Sequence, residues 1–229
     1  MPTSARAPTV ILIPGFKADS ASMVPYARFL HEAKFNVLLY DSRGTGASGG
    51  TFTLGLREGQ DVLGATAYLN RHRALRNHRY GLLGVSLGSG VAIVAASHLS
   101  SVRAVVADSP YTDQHFLIQR LDTLQLDSLG IPLAPIGPWL VDRVLGAPLA
   151  SFNPLRSVRK IGGRSLLLIH ARHDQNPTTP LRDALTLQRA AGRNTTLWIA
   201  PRGGHAGALA AQPVVYSRRV VVFLRHYLH

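Results

Sequence analysis

Six short runs rich in Val, Ile and Leu constrain this chain more than any other feature: VILI at Val10, NVLLY at Asn36, YGLLGV at Tyr80, VRAVVA at Val102, SLLLIH at Ser165 and TTLWIA at Thr195. Each has strand length, and each is too uniformly apolar to have one face in water, so both faces must be covered. Between the runs lie helical patterns, near Ser22 to Lys34, Leu56 to Arg73, Gly88 to Ser97, Pro180 to Ala191 and Val214 to Tyr227. Strands alternating with helices predict an α/β fold whose mostly parallel, doubly wound sheet is covered on both sides. Ligands bind such sheets at the carboxyl ends of the strands, so the loops after the six runs are where chemistry is to be sought. A length of 229 residues fits one domain, 1–229, with no internal repeat or second-domain linker.

One stretch breaks the alternation. From Tyr111 to Lys160 the chain carries Pro132, Pro135, Pro138, Pro148 and Pro154 among the apolar Ile131, Leu133, Ile136, Trp139 and Leu140. That is too long for an ordinary connection. It reads as a helical insertion, 111–160, packed over the strand ends, either a substrate-covering lid or a packed surface excursion.

A Gly-x-Ser-x-Gly pattern marks a nucleophile elbow, a tight strand-turn-helix that exposes a serine. By composition alone the pattern arises in roughly one such chain in eight, and this chain holds two copies, so context must choose. Gly46-Ala-Ser48-Gly-Gly50 lies several residues beyond its strand with no helix after it, and reads as a loop. Gly84-Val85-Ser86-Leu87-Gly88 comes straight off YGLLG and runs into the small, apolar SGVAIVAA, a helix suited to lying against a sheet. Ser86 is therefore the candidate nucleophile.

A serine hydroxyl needs a base to take its proton and a third group to orient that base. Of ten histidines, His205 stands in Arg202-Gly-Gly-His-Ala-Gly207 just after the last strand, where glycines let a loop reach across the sheet. By contrast, His31, His72, His78, His98 and His226 fall in helical stretches and His229 is terminal. For the acid, Asp174 follows SLLLIH in a loop leading to a new helix, and Asp108 follows VRAVVA in a turn that starts the insertion. Asp174 is favoured, with Asp108 as the alternative. The chain order Ser86, Asp174, His205 is that of the strand-elbow hydrolases.

These loops, together with Tyr40-Asp41-Ser-Arg43-Gly44-Thr-Gly46-Ala-Ser48, which is similar to the Asp-x-Arg-Gly-x-Gly-x-Ser loop of that family, make the chain resemble an alpha/beta-hydrolase-fold serine hydrolase over nearly its whole length. The nearest look is the branch of depalmitoylase-like, dienelactone-hydrolase-like and prolyl-peptidase-like enzymes. The resemblance implies a minimal version of that fold with the insertion after its sixth core strand, here the run at Val102. Two departures stand out. Where the family usually has His-Gly after its first core strand, this chain has Ile13-Pro14-Gly15-Phe16. The family's first two strands also have no counterpart before Val10, so either the fold is minimal or an upstream segment, such as a membrane anchor, precedes it. The resemblance implies an oxyanion hole made by the backbone N–H groups of Phe16 and Leu87; Pro14 removes only its own.

Composition narrows the rest. With no cysteine, disulfides, cysteine-ligated zinc and thiol nucleophiles are excluded. The opening MPTSARAPTVILIPGF has an apolar run cut by Pro14 and Gly15, too short for an export signal. No run approaches the roughly 18 residues of a membrane span, so a cytoplasmic location is expected. A formal charge of +13 suggests nucleic acid, membrane surfaces or anionic substrates, yet the cations are dispersed and almost all Arg, without the clustered patch and interleaved aromatics of a nucleic-acid module. Gly44-Thr-Gly46-Ala-Ser-Gly49 spells the dinucleotide fingerprint but opens no helix and has no acidic residue about 20 positions on. His170 and His173 on a strand would face opposite ways, which argues against a metal site with His205. Glu58 and Asp61 are expected to complement a helix dipole. No metal or organic cofactor is implied. The expected activity is cleavage of a small-molecule ester through an acyl-enzyme, with thioester or peptide substrates, or a catalytically silent binding protein, as alternatives.

Overall fold

The computed structural model describes residues 2–4, 7–72, 79–113 and 137–228. All six apolar runs are strands: β1 (Thr9–Ile13), β2 (Asn36–Leu39), β3 (Tyr80–Val85), β4 (Val102–Asp108), β5 (Ser165–Ala171) and β6 (Thr195–Ala200). They form one sheet in the order β2-β1-β3-β4-β5-β6, and every neighbouring pair is parallel. Parallel neighbours need long crossovers, and helices occupy those crossovers. The helices are α1 (Val24–Glu32), α2 (Glu58–Arg71), α3 (Leu87–His98), α4 (Gly137–Leu145), α5 (Pro154–Val158), α6 (Leu181–Ala191), α7 (Ala208–Ala211) and α8 (Pro213–Leu228).

The strands are largely apolar because each feeds two cores. Alternate residues of β1 point to opposite faces: Ile11 and Ile13 join α2, α3, α5 and α6 on one side, and Val10 and Leu12 join α1 and α8 on the other. Helix α8 buries Tyr216, Val220, Leu224 and Leu228, four apart each time, which is the single apolar stripe of a surface helix. Helix α3 has no such stripe. It is buried along most of its length, and Gly88, Ser89, Gly90, Ala92, Ala95 and Ala96 keep it thin enough to lie tightly on the sheet.

Two expected boundaries shift. The first helical segment begins as a 3-10 turn at Ser20–Met23, where the Asp19 side chain accepts the Ser22 N–H, and Pro25 then starts α1. Glu58 and Asp61 do open α2 but do more than face its dipole. Buried Glu58 accepts N–H bonds from Thr53 and Gly55 and the Thr53 hydroxyl, fixing the turn before the helix. Asp61 is bidentate to Arg43, at 2.7 Å from Nη2 and 3.0 Å from Nε, so it anchors the Asp41 loop. Of the expected insertion, 114–136 lies outside the described residues. In the remainder, Leu149, Phe152, Val158 and Ile161 are buried, while Trp139, Leu140 and Val144 of α4 are exposed. Among the described residues no helix is long and apolar enough to cross a membrane.

Candidate active site

Ser86 stands between β3 and α3 with φ 53° and ψ −119°, a left-handed conformation that a side chain rarely adopts. The glycines on either side explain how it is held there. A Cβ on Gly84 would sit 2.0 Å from the Gly88 carbonyl oxygen, and one on Gly88 would sit 2.3 Å from the Ile13 oxygen and 2.5 Å from the Pro14 oxygen. The turn is therefore clamped between its own helix and the end of β1, and the second Gly-x-Ser-x-Gly copy is a strand-turn-helix elbow. The first copy, Gly46 to Gly50, is loop. The Asp41 carboxylate there accepts the N–H groups of Ser20 and Ala47 at 2.8 and 2.9 Å, and bonds from Ser20 and Ala47 hold that carboxyl below its usual range.

The structure brings Ser86, His205 and Asp174 into one hydrogen-bond chain. His205 Nε2 lies 2.9 Å from Ser86 Oγ, and Nδ1 lies 3.1 Å from Asp174 Oδ2. His205 arrives on the loop after β6, in a tight turn where a Cβ on Gly203 (φ +107°) would meet the Gly207 backbone at 2.8 Å. The next residue, Ala206, is itself left-handed at φ 52°, and its N–H is fixed by the Ser109 hydroxyl at 3.0 Å. The Asp174 side chain is wholly buried, whereas that of His205 is 28% exposed, so the imidazole reaches solvent and the carboxylate does not. Burial alone would raise the Asp174 carboxyl; the His205 hydrogen bond, the Asn176 N–H and the positive fields of His205 and His170 outweigh it and hold the group below its usual range, ionised at neutral pH.

Asp108, the alternative acid, faces elsewhere. It is fully buried at the end of β4 and accepts the Tyr216 hydroxyl of α8 at 2.9 Å and the Ser109 hydroxyl at 3.1 Å. Burial pushes its carboxyl up to about 6, against the lowering effect of those two bonds and of His170 and His205. Its place is behind the site: through Ser109 it supports the backbone beside His205.

Three contributors were not legible in the sequence. Thr179, buried, puts its hydroxyl 3.0 Å from His205 Nδ1. Ser109 and Tyr216 complete the Asp108 network across 97 and 108 residues of chain. Nothing in local composition marks them, because each makes a contact that links it to a distant part of the chain. His173 is exposed, while His170 is fully buried on β5.

The site opens into a cleft of about 540 Å³. Its walls are mostly apolar, with Phe16, Met23, Tyr26, Val85, Leu87 and Tyr111; besides Ser86 and His205, the polar lining is Ser22, Asn176, Thr178 and Thr179. At the mouth, half-exposed Phe16 stacks edge-on against Phe52 at 5.5 Å. Gly15 lies directly against the elbow, its Cβ position 3.5 Å from Ser86 Cβ, and Phe16 and Leu87 line the same cleft as the serine.

A family model described as alpha/beta hydrolase fold matches residues 8–144. An esterase of Pyrococcus furiosus superimposes with a TM-score of 0.77 and 26% identity, covering 96% of this chain and 82% of that one. The Bacillus subtilis protein YqkD is 28% identical over 224 residues, 94% of this chain and 70% of its own length. The alpha/beta hydrolase GrgF of a Penicillium species shares the fold, with a TM-score of 0.77 at 21% identity over 99% of this chain and 92% of its own.

Proposed function

Because the chain belongs to the alpha/beta hydrolase fold family, we propose that it is a serine hydrolase that cleaves carboxylic esters through an acyl-enzyme on Ser86. The observation that carries this reading is the unbroken chain Ser86 Oγ, His205 Nε2, His205 Nδ1, Asp174 Oδ2, with links of 2.9 and 3.1 Å. His205 takes the serine proton as Oγ attacks the carbonyl carbon, and the ionised Asp174 stabilises the imidazolium that forms. The developing oxyanion is met by the N–H groups of Leu87, first in α3, and Phe16, across the elbow from it, each worth roughly 3 to 4 kcal/mol in the transition state. The imidazolium then gives its proton to the leaving alcohol. Water attacks the acyl-Ser86 ester with His205 as base, releasing the acid. The likeness to an esterase of Pyrococcus furiosus and the apolar cleft support an ester with an apolar acyl part.

The test is covalent labelling. A fluorophosphonate probe should add one adduct to the wild type by intact mass and none to Ser86→Ala. The same substitution should lower kcat on p-nitrophenyl esters by at least about 10⁴-fold. A folded wild type that stays unlabelled would overturn the reading in favour of a silent binding protein. Labelling with turnover of thioesters or peptides, and none of esters, would keep the nucleophile and replace the substrate.

A further inference from the structure

We infer that His170 is a buried imidazolium that closes the acid loop, a positioning residue for Asp174 and, through Thr179, for His205. Its ring is completely inaccessible to solvent. Nδ1 lies 2.9 Å from the Ala171 carbonyl oxygen, and Nε2 lies 2.8 Å from the Thr179 carbonyl oxygen. A carbonyl oxygen only accepts, so each contact requires a proton on the nitrogen facing it, and a neutral imidazole has one proton for two nitrogens. In the neutral form one bare nitrogen would be buried against an oxygen lone pair, a costly arrangement. Only the doubly protonated ring satisfies both.

A buried charge needs opposite charge beside it, and this one has it. Asp174 Oδ2, from the acid loop, is 3.8 Å from Nε2. Asp108, from β4, also feels the field of His170. Among the described residues the cluster also holds His205, from the loop after β6, whose Nδ1 approaches the same Asp174 oxygen at 3.1 Å, and Tyr216 of α8, whose hydroxyl donates to Asp108. The two carbonyls held by the ring bracket residues 172–178, so the imidazolium staples the loop at both ends. Asp174 sits inside that staple, and Thr179 carries the hydroxyl 3.0 Å from His205 Nδ1. The positive charge also favours ionised Asp174. The catalytic consequence rests on the proposed serine-hydrolase reading; the protonation state does not.

The protonation state is read directly in the intact wild-type protein by long-range ¹H–¹⁵N correlation from the carbon-bound ring protons at pH 8. His170 is assigned by the signal lost in His170→Gln or, should that variant not fold, by through-bond correlation to its own backbone. Two nitrogens with closely similar, protonated-type shifts are expected. One protonated and one bare nitrogen at pH 8 would overturn the inference, whether or not the protein hydrolyses anything. For the positioning role, fluorophosphonate labelling of His170→Gln should slow by between about tenfold and a hundredfold, and the acidic limb of its pH profile should move to higher pH, since losing one positive charge lets His205 take up a proton more readily. A slower rate with an unmoved limb would reduce His170 to a packing residue.

Discussion

Asp108 and Asp174 follow neighbouring strands, both with side chains out of water, yet their partners separate them chemically. Asp174 receives a histidine ring nitrogen and a backbone N–H; Asp108 receives two hydroxyls. Hydroxyl donors compensate a buried negative charge less than a group that can itself become a cation. Asp174→Asn should therefore lower kcat by about 10³ to 10⁴-fold, through loss of the tautomer and of imidazolium stabilisation. Asp108→Asn, which still accepts from Tyr216, should leave kcat within several-fold. Equal losses in steady-state kinetics of the two variants would contradict the assignment of the acid. Asp108 also has a signature in stability. Its carboxyl is raised from 3.8 to about 6 in the folded chain, so between those values the folded state holds a proton that the unfolded state has released. Its contribution is most favourable at acid pH and is lost as pH rises through about 6. Relative to Asp108→Asn, the wild type should lose about 2 kcal/mol between pH 4 and pH 7, as denaturant titrations at each pH would report.

At the scale of elements, the elbow depends on three backbones meeting where no side chain fits. In Gly88→Ala the new Cβ would fall 2.3 Å from the Ile13 oxygen and 2.5 Å from the Pro14 oxygen, and backbone cannot step aside as a flexible side chain can. The expected cost is at the upper end of, or beyond, about 1–3 kcal/mol for overpacking, read as a lower Tm. Activity should fall more than stability, because β1 ends in the Gly15 turn that lies against Ser86. Ala at Gly64 of α2, where nothing lies within 4 Å, is the control and should not lower Tm. The elements themselves were legible because buried parallel strands must be apolar on both faces, and a run such as SLLLIH has few other ways to fold. The elbow, acid and histidine loops were legible for a related reason: glycines mark the tight turns and strand ends mark the edge. What sequence left open was the strand order, with β1 between β2 and β3, and the roles of Thr179, Ser109, Tyr216 and His170. These depend on which loops meet, and no local pattern encodes a contact between Ala206 and Ser109. The boundaries within 137–160 were equally indistinct, since short helices there are set by the burial of Leu149, Phe152 and Val158 rather than by a repeating stripe.

At the scale of the whole molecule, the basic surface and the described walls of the cleft differ in character. The chain carries 25 basic and 12 acidic residues, a formal +13, yet no Lys, Arg, Asp or Glu is among the described residues that line the cleft. A field of that size draws anions toward the surface from several ångströms away and is screened by salt within a Debye length of about 8 Å at physiological ionic strength. An apolar wall, however, provides nothing to pair with an anion once it arrives, and desolvating an unpaired carboxylate is unfavourable. Encounter and binding should therefore respond differently to substrate charge. For p-nitrophenyl butyrate, a neutral ester, kcat/KM should change less than about twofold between 20 and 500 mM NaCl, since steering acts on charge. For a p-nitrophenyl ester with a free carboxylate on its acyl chain, kcat/KM should be lower at every salt concentration and should fall further as salt rises, with the deficit at high salt appearing in KM. If the charged ester were instead preferred, and lost that preference only in high salt, a cation would have to reach the cleft, and the separation of surface charge from an apolar site would not describe how this molecule selects its substrate.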